Sequence, residues 1–288
     1  MRTRARAKLV LLISATIAIP LSGCGTSSTT TPTTTEISTT SQPTSTTETT
    51  LPAESMALAQ YWVGETSRGF RLYREFAHIE ITPDPITAAL RSLVSSQPKD
   101  SDYTTLWPAG TQINSVIIIG DTAIVDLTFG KLNVGAEGEQ LAIAQLVWTA
   151  TAANPATPKV FFLVDGKKVD SLAGHVDTSN SFTRAPAYEV VAPVWITSPE
   201  GGAQVSAQGF TLSGLASTFE ANVAWSVSRN GKIVRQGATT AGGAAPAWTP
   251  WSVAIGGLAP GEYQFAAMEY SAMDGSLVAQ DTKTVTLK

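Results

Sequence analysis

The chain contains a single cysteine, Cys24, so neither an internal disulfide nor a cysteine-rich metal site can hold it together. Each folded region must rely on its own apolar core. Cys24 closes the tetrapeptide Leu21-Ser22-Gly23-Cys24, an aliphatic residue, two small ones and the thiol. Ahead of it stand Arg2, Arg4, Arg6 and Lys8, then a short apolar run from Leu9 to Leu21. That run is too short to span a bilayer as a stable helix and ends in small residues, the layout of a secretory signal.

These residues resemble the lipobox of bacterial lipoprotein precursors. The resemblance implies that residues 1–23 are a signal peptide removed on export, and that the Cys24 sulfur carries a diacylglycerol. At roughly 0.8 kcal/mol per buried CH2, two or three acyl chains anchor stably where one does not. The expected location is the cell membrane, lipid-anchored on its extracytoplasmic face, with acylated Cys24 as the membrane contact. An ordinary cleaved signal with an incidental cysteine is the plainer alternative. From Gly25 to Pro52, 19 of 28 residues are Ser or Thr, with almost nothing to bury. Such a segment cannot offset the entropy of ordering, so residues 24–54 are read as the lipidated Cys and a disordered stalk. As a flexible coil the stalk reaches about 30 Å.

A length of 288 residues suggests about two domains. Removing the four basic signal residues takes the formal charge from −4 to −8. With no cluster of Lys and Arg, such a surface suits neither nucleic acid nor an anionic membrane face.

The region 55–178 mixes both periodicities. LAQYWVGE and Phe70 to Ile81 read as strands. Asp84-Pro85 supplies an N-cap and a first-turn proline, and Ile86, Ala89, Leu90, Leu93 and Val94 follow at helical spacing. INSVIIIGDTAIVDLTF is split at Gly120-Asp121 into two strands, with Ala123, Val125, Leu127 and Phe129 alternating. A second helix is expected from about Ala136 to Ala152, with Ile143, Leu146, Val147 and Ala150 inward. VFFLVDGKKV reads as a hairpin turned at Asp165-Gly166. The fold class is an α+β domain, helices on a mixed sheet. The strand, the Asp-Pro helix, WPAGTQINSV, the Val-Asp-Leu-Thr strand, a Gln-rich helix ending in Trp-Thr, then VDG and GH resemble, as an ordered set, the GerMN domain. That domain is named from sporulation and spore-germination proteins, and the resemblance covers about Leu58 to Asp177.

Residues 179–190 are expected to be a linker, and residues 191–288 read as all-β. VWI, FTLSG, NVAWSVS, KIVRQG, WSVAI, EYQFAAMEY and LVAQDTKTVTL are short strands separated by turn signals, which predicts an immunoglobulin-like β-sandwich. Leu258, Pro260, Gly261 and Tyr263 resemble a tyrosine corner. Phe219-Glu220 and SAMDGS resemble the immunoglobulin-like domain of bacterial spore-germination proteins, which commonly follows a GerMN domain. Each of the two regions is expected to fold on its own.

Signatures of known chemistry are sparse. The sequence has no GxSxG, GxxxxGK[ST] or HExxH motif. His175, in Gly174-His175-Val176-Asp177, could be a base oriented by Asp177; a polar residue closing the domain explains it without a nucleophile. His78 reads as one residue on a solvated strand face. Asp121, Asp165 and Asp274 sit in or beside Gly turns, so no metal is invoked, and no catalytic residue or cofactor is assigned. Arg68, Arg71, Arg74 and Glu75 form either a charged recognition face or the wet side of a strand. Trp225 alternates with Val223 and Val227 and is expected in the sandwich core, as is Trp251. Trp248 falls on the loop side, placed either to stack on a sugar or partner or to cap the sandwich end. The contact candidates are thus Trp248, Arg71 and Arg74. The reading is a non-catalytic, lipid-anchored envelope protein that binds or scaffolds other envelope components. A peptidoglycan- or glycan-binding lipoprotein is the alternative, with a wall hydrolase behind it.

Overall fold

The computed structural model describes residues 54–288; the expected signal peptide, Cys24 and the expected stalk up to residue 53 lie outside the described residues. The first lobe opens with a long antiparallel hairpin, β1 (Ser55–Thr66) and β2 (Gly69–Glu80). A two-residue strand, β3 (Tyr103–Thr104), pairs with the other edge of β1. Between β2 and β3 lies helix α1 (Pro85–Ser95), which begins where Asp84-Pro85 predicts. The Asp84 carboxylate accepts the Thr87 amide at 3.1 Å, satisfying one orphan donor of the first turn. Its buried stripe is Ile86, Ala89, Leu90 and Leu93, with Val94 packed at the margin.

A second three-stranded sheet follows in the order β4 (Gln112–Ile119), β5 (Thr122–Thr128), β6 (Lys159–Val164). The first pair is antiparallel around Gly120-Asp121, and the second is parallel, joined through helix α2 (Ala136–Ala153). The sheet is therefore mixed, as expected, but the lobe holds two sheets rather than one. Helix α2 touches α1, β1 of one sheet and β6 of the other. It is accordingly buried almost all round, well beyond the stripe of Ile143, Leu146, Val147 and Ala150. The polar residues of α2 anchor this packing: Thr149 Oγ1 accepts the Tyr61 amide at 3.1 Å, and Gln145 Oε1 accepts Thr105 Oγ1 at 3.1 Å. Trp107 donates its indole N–H to the Ala142 carbonyl at 3.1 Å.

Two expectations are corrected here. The turn at Asp165-Gly166 is present, but the returning arm makes only the bridge Val164–Lys167 and no strand follows. The stretch 179–190 is not a free linker. Phe182 exchanges two backbone hydrogen bonds with Val160, at 2.7 and 2.8 Å, and a short helix, α3 (Ala187–Val190), follows. The Ala192 amide then bonds the Leu72 carbonyl at 2.9 Å, holding the chain against β2.

The second lobe is a sandwich of two sheets. One runs in the order β11 (Lys232–Thr240), β10 (Asn222–Arg229), β13 (Gly261–Tyr270), β14 (Leu277–Leu287), β8 (Gln204–Val205). The other runs β12 (Thr249–Ile255), β9 (Phe210–Ala216), β7 (Val194–Ser198). Val223, Trp225 and Val227 are all buried, as the alternation requires, and share a core with Trp251, Phe265 and Val285. The Tyr263 hydroxyl donates to the Ala259 carbonyl at 3.0 Å, closing the tyrosine corner four residues upstream. Gly214 in β9 permits a close crossing. A Cβ there would lie 1.8 Å from the Trp195 carbonyl oxygen, so only glycine fits the β7–β9 ladder at this point. The molecule is thus an α+β lobe followed by an all-β sandwich.

A candidate binding groove where the lobes meet

The two lobes are joined by a buried polar network. Lys283 on β14 is 2% exposed and points at the first lobe. Its ammonium pairs with Asp100 and Asp281, the latter at 3.1 Å, and donates to the Tyr103 hydroxyl at 2.9 Å. Tyr103 in turn donates to Asp281 Oδ1 at 2.5 Å, and Asp281 Oδ2 accepts the Ile196 amide at 2.5 Å. Burial pushes the Asp281 carboxyl up to about 6, against the pull of Lys283 and its hydrogen bonds. Burial also works to lower the Lys283 ammonium, but Asp281 and Asp100 outweigh it and hold the group above its usual range. The Tyr103 hydroxyl is raised by burial and then by the two carboxylates. Beside it, Tyr73 stacks on Tyr103 at 4.8 Å and donates to the Gln280 carbonyl at 3.0 Å. Gly64 makes room for this stack, since a Cβ there would meet the Tyr73 ring at 2.7 Å.

Further contacts run along the junction. Ser67, in the β1–β2 turn, donates from its amide and hydroxyl to the Val278 carbonyl at 3.2 and 2.8 Å. Lys99 reaches Glu200 at 2.5 Å, and Glu75 accepts the Lys99 and Asp100 amides at 2.9 Å each. Trp195 of β7 packs into the core of the first lobe rather than that of its own sandwich.

At one end of this junction lies a groove of about 250 Å³. The first lobe and its connection supply Thr66, Arg68, Arg71 and Tyr188; the second supplies Ser217, Pro246, Trp248 and Glu269. The Trp248 indole N–H donates to the Ala192 carbonyl at 3.0 Å, which fixes the ring in place. Arg71 Nη1 donates to the Phe70 carbonyl at 2.7 Å. Among the described residues no carboxylate lies within ion-pair distance of Arg68 or Arg71. Glu269, the only acid in the wall, accepts the Phe219 amide at 3.3 Å. Burial raises its carboxyl, and that amide and the charge of Arg68 moderate the rise.

Both lobes match known families. Residues 59–170 match the family described as "Sporulation and spore germination", and residues 193–276 match "Immunoglobulin-like domain of bacterial spore germination". The chain carries a GerMN domain followed by this immunoglobulin-like domain. Among solved structures, the first GerMN domain of the sporulation protein GerM from Bacillus subtilis is 23% identical, with a TM-score of 0.38. That match covers 45% of this chain and 98% of the other. The tandem GerMN domains of the same protein are 17% identical at a TM-score of 0.39, covering 70% of this chain and 62% of that one. No curated protein matches the chain.

Of the residues singled out from the sequence, Trp248 and Arg71 meet in the groove, one from each lobe. Arg74 does not join them. Its guanidinium lies over the Phe76 and Trp195 rings, at 4.9 and 5.5 Å, inside the junction between the lobes, where it cannot serve as a free contact. Cys24 lies outside the described residues. The histidines form no base constellation. The His175 side chain is exposed, and Asp177 is engaged by the Ser179 amide at 2.8 Å. His78 is exposed 3.5 Å from Glu200. The turn reading of the aspartates holds: Asp121 pairs with Lys159 at 2.9 Å, and Asp274 accepts the Ser276 amide at 3.0 Å.

Glu139 is a structural carboxylate that sequence reasoning passed over. Fully buried in the first turn of α2, it accepts the amides of Leu172, Ala173, His175 and Val176 at 2.7–3.1 Å. Burial alone would raise its pKa, but these donors and the Ser171 hydroxyl bring it below the usual range. It therefore organises the Gly174-His175 loop that the GerMN resemblance had marked.

Proposed function

We propose that this protein is a non-catalytic, lipid-anchored component of the bacterial cell envelope that binds another envelope component through the groove between its lobes. The observation that carries the reading is the groove itself. It exists only when both lobes are in place, and it brings together a fixed indole and two guanidiniums that have no carboxylate partner among the described residues. Trp, Tyr and Arg are the residue types that dominate binding hot spots. The buried Lys283 network keeps the lobes from separating, so the surface is preorganised. The lipobox at Cys24 and the Ser/Thr-rich stalk would hold this surface tens of Å from the bilayer. Two matched families described by sporulation and germination, rather than by a reaction, support a binding role.

The test has two arms. Metabolic labelling with a fatty-acid probe should mark the wild-type chain and not Cys24→Ala; equal labelling would remove the anchor from the account. The purified chain should neither release muropeptides from isolated peptidoglycan nor sediment with it through Trp248. Muropeptide release would make the protein a wall hydrolase. Sedimentation abolished by Trp248→Ala would favour glycan binding.

A further inference from the structure

The groove discriminates among envelope components by its chemistry. A volume of about 250 Å³ falls below the roughly 300–1,000 Å³ of sites that enclose whole small molecules. It therefore suits one or two side chains of a longer molecule, the rest of which lies over the rim. Tyr188 in that lining is 67% exposed, and Phe219, whose amide bonds Glu269, is 58% exposed. The lining contains no Asn or Gln, the side-chain amides that pair donor and acceptor against sugar hydroxyls. What it offers instead are two guanidiniums that have no ion-pair partner among the described residues. Arg68 and Arg71 present guanidinium forks suited to a carboxylate, and Trp248, Pro246, Val191 and Val278 offer apolar surface beside them.

We propose that the groove binds a carboxylate carried by an extended segment of a partner protein, an Asp, a Glu or a free C-terminus, with an apolar neighbour seated on Trp248. The inference rests on the binding role argued above and narrows it to one ligand class. The carboxylate would accept from Arg71 and Arg68, neither of which has an ion-pair partner among the described residues, while Glu269 disfavours a second acid in the groove. The adjacent apolar side chain would cover the indole face, whose N–H already bonds Ala192 and needs nothing from the ligand.

The test is panning of a phage-displayed library of random nonapeptides against the full chain in mild detergent. The expected result is enrichment of sequences with an acidic residue or terminal carboxylate beside an aromatic or aliphatic one. A synthetic copy of an enriched peptide should bind at least about tenfold more weakly to Arg71→Gln, in line with a charge-assisted pair. Replacing the acid of the peptide by its amide should weaken binding to wild type similarly, without perturbing the protein's fold. Combining the two changes should cost little more than either alone. Enrichment without acids, no enrichment, or equal binding by Arg71→Gln and Arg68→Gln would overturn the proposal. In any of those cases a protein cross-linked to the groove in cells would still support the broader binding role.

Discussion

Replacing Lys283 by methionine removes the central cation of the lobe junction while keeping most of its volume. Asp100 and Asp281, 6% and 2% exposed, would then face one another across the Tyr103 hydroxyl with no counter-charge. Breaking a buried pair in this way typically costs about 3–5 kcal/mol, because the remaining charge is left without compensation. The cost depends on pH in a defined direction. Asp281 already titrates at about 6, and losing its ammonium partner raises it further, so its protonation at pH 5 relieves part of the penalty. Urea denaturation of the full chain, followed by tryptophan fluorescence, should show the larger loss at pH 8 and a smaller one at pH 5. Trp195, set in the first-lobe core from β7, reports on the junction directly. Adding Asp281→Asn and Asp100→Asn to Lys283→Met should recover most of the stability. A loss below about 1 kcal/mol at pH 8, or one that grows towards pH 5, would refute the assignment of the network as the joint between the lobes.

Other perturbations follow from single contacts. Trp225→Ala should cost roughly 3–5 kcal/mol by denaturation, the usual range for a buried large aromatic; a loss under about 1 kcal/mol would mean the ring is not core. Gly214→Ala should destabilise by at least about 3 kcal/mol, since the new methyl would overlap the Trp195 carbonyl and neither backbone can retreat without breaking the β7–β9 ladder. A native-like melt for that variant would contradict the crossing. For Asp281 the sign is unusual. Its folded pKa is raised from 3.8 to about 6, so the native state holds the proton more tightly and the group's contribution to stability falls as pH rises from about 4 to 6. Over that window the contribution changes by about 3 kcal/mol, and the wild-type minus Asp281→Asn difference curve should show it. A flat difference would refute the shift.

Much of the fold is legible in the sequence because it is local. The Asp84-Pro85 start of α1, the Gly120-Asp121 turn and the alternation of Val223, Trp225 and Val227 each depend on neighbours in the chain. What escapes depends on partners far away. Tyr103–Thr104 becomes a strand only because β1 offers an edge, and Phe182 is ordered by Val160 rather than by its own surroundings. The candidate site divides along the same line. Trp248 and Arg71 are recognisable as unassigned aromatic and charged residues, but nothing local brings together positions 177 residues apart. Arg71 and Arg74 carry the same side chain on β2, but at a spacing of three they fall on opposite faces of the strand, and Arg74 turns to the face that meets Trp195. The buried ion pair of the junction does carry a local signal. On β14, Asp281 and Lys283 fall in phase with the inward-facing Ala279, Val285 and Leu287, and opposite charges at core positions of a strand indicate a buried pair.

The central claim is that the groove between the lobes is where a partner sits, and site-specific photo-cross-linking in living cells tests it most directly. A photoreactive phenylalanine analogue would replace Tyr188 at the mouth of the groove and, separately, Ile119, which is 62% exposed at the β4–β5 turn. The expected result is a discrete protein adduct from position 188, lost when Arg71→Gln is added, and none from position 119. Absence of an adduct at 188, or equal adducts at both positions, would contradict it.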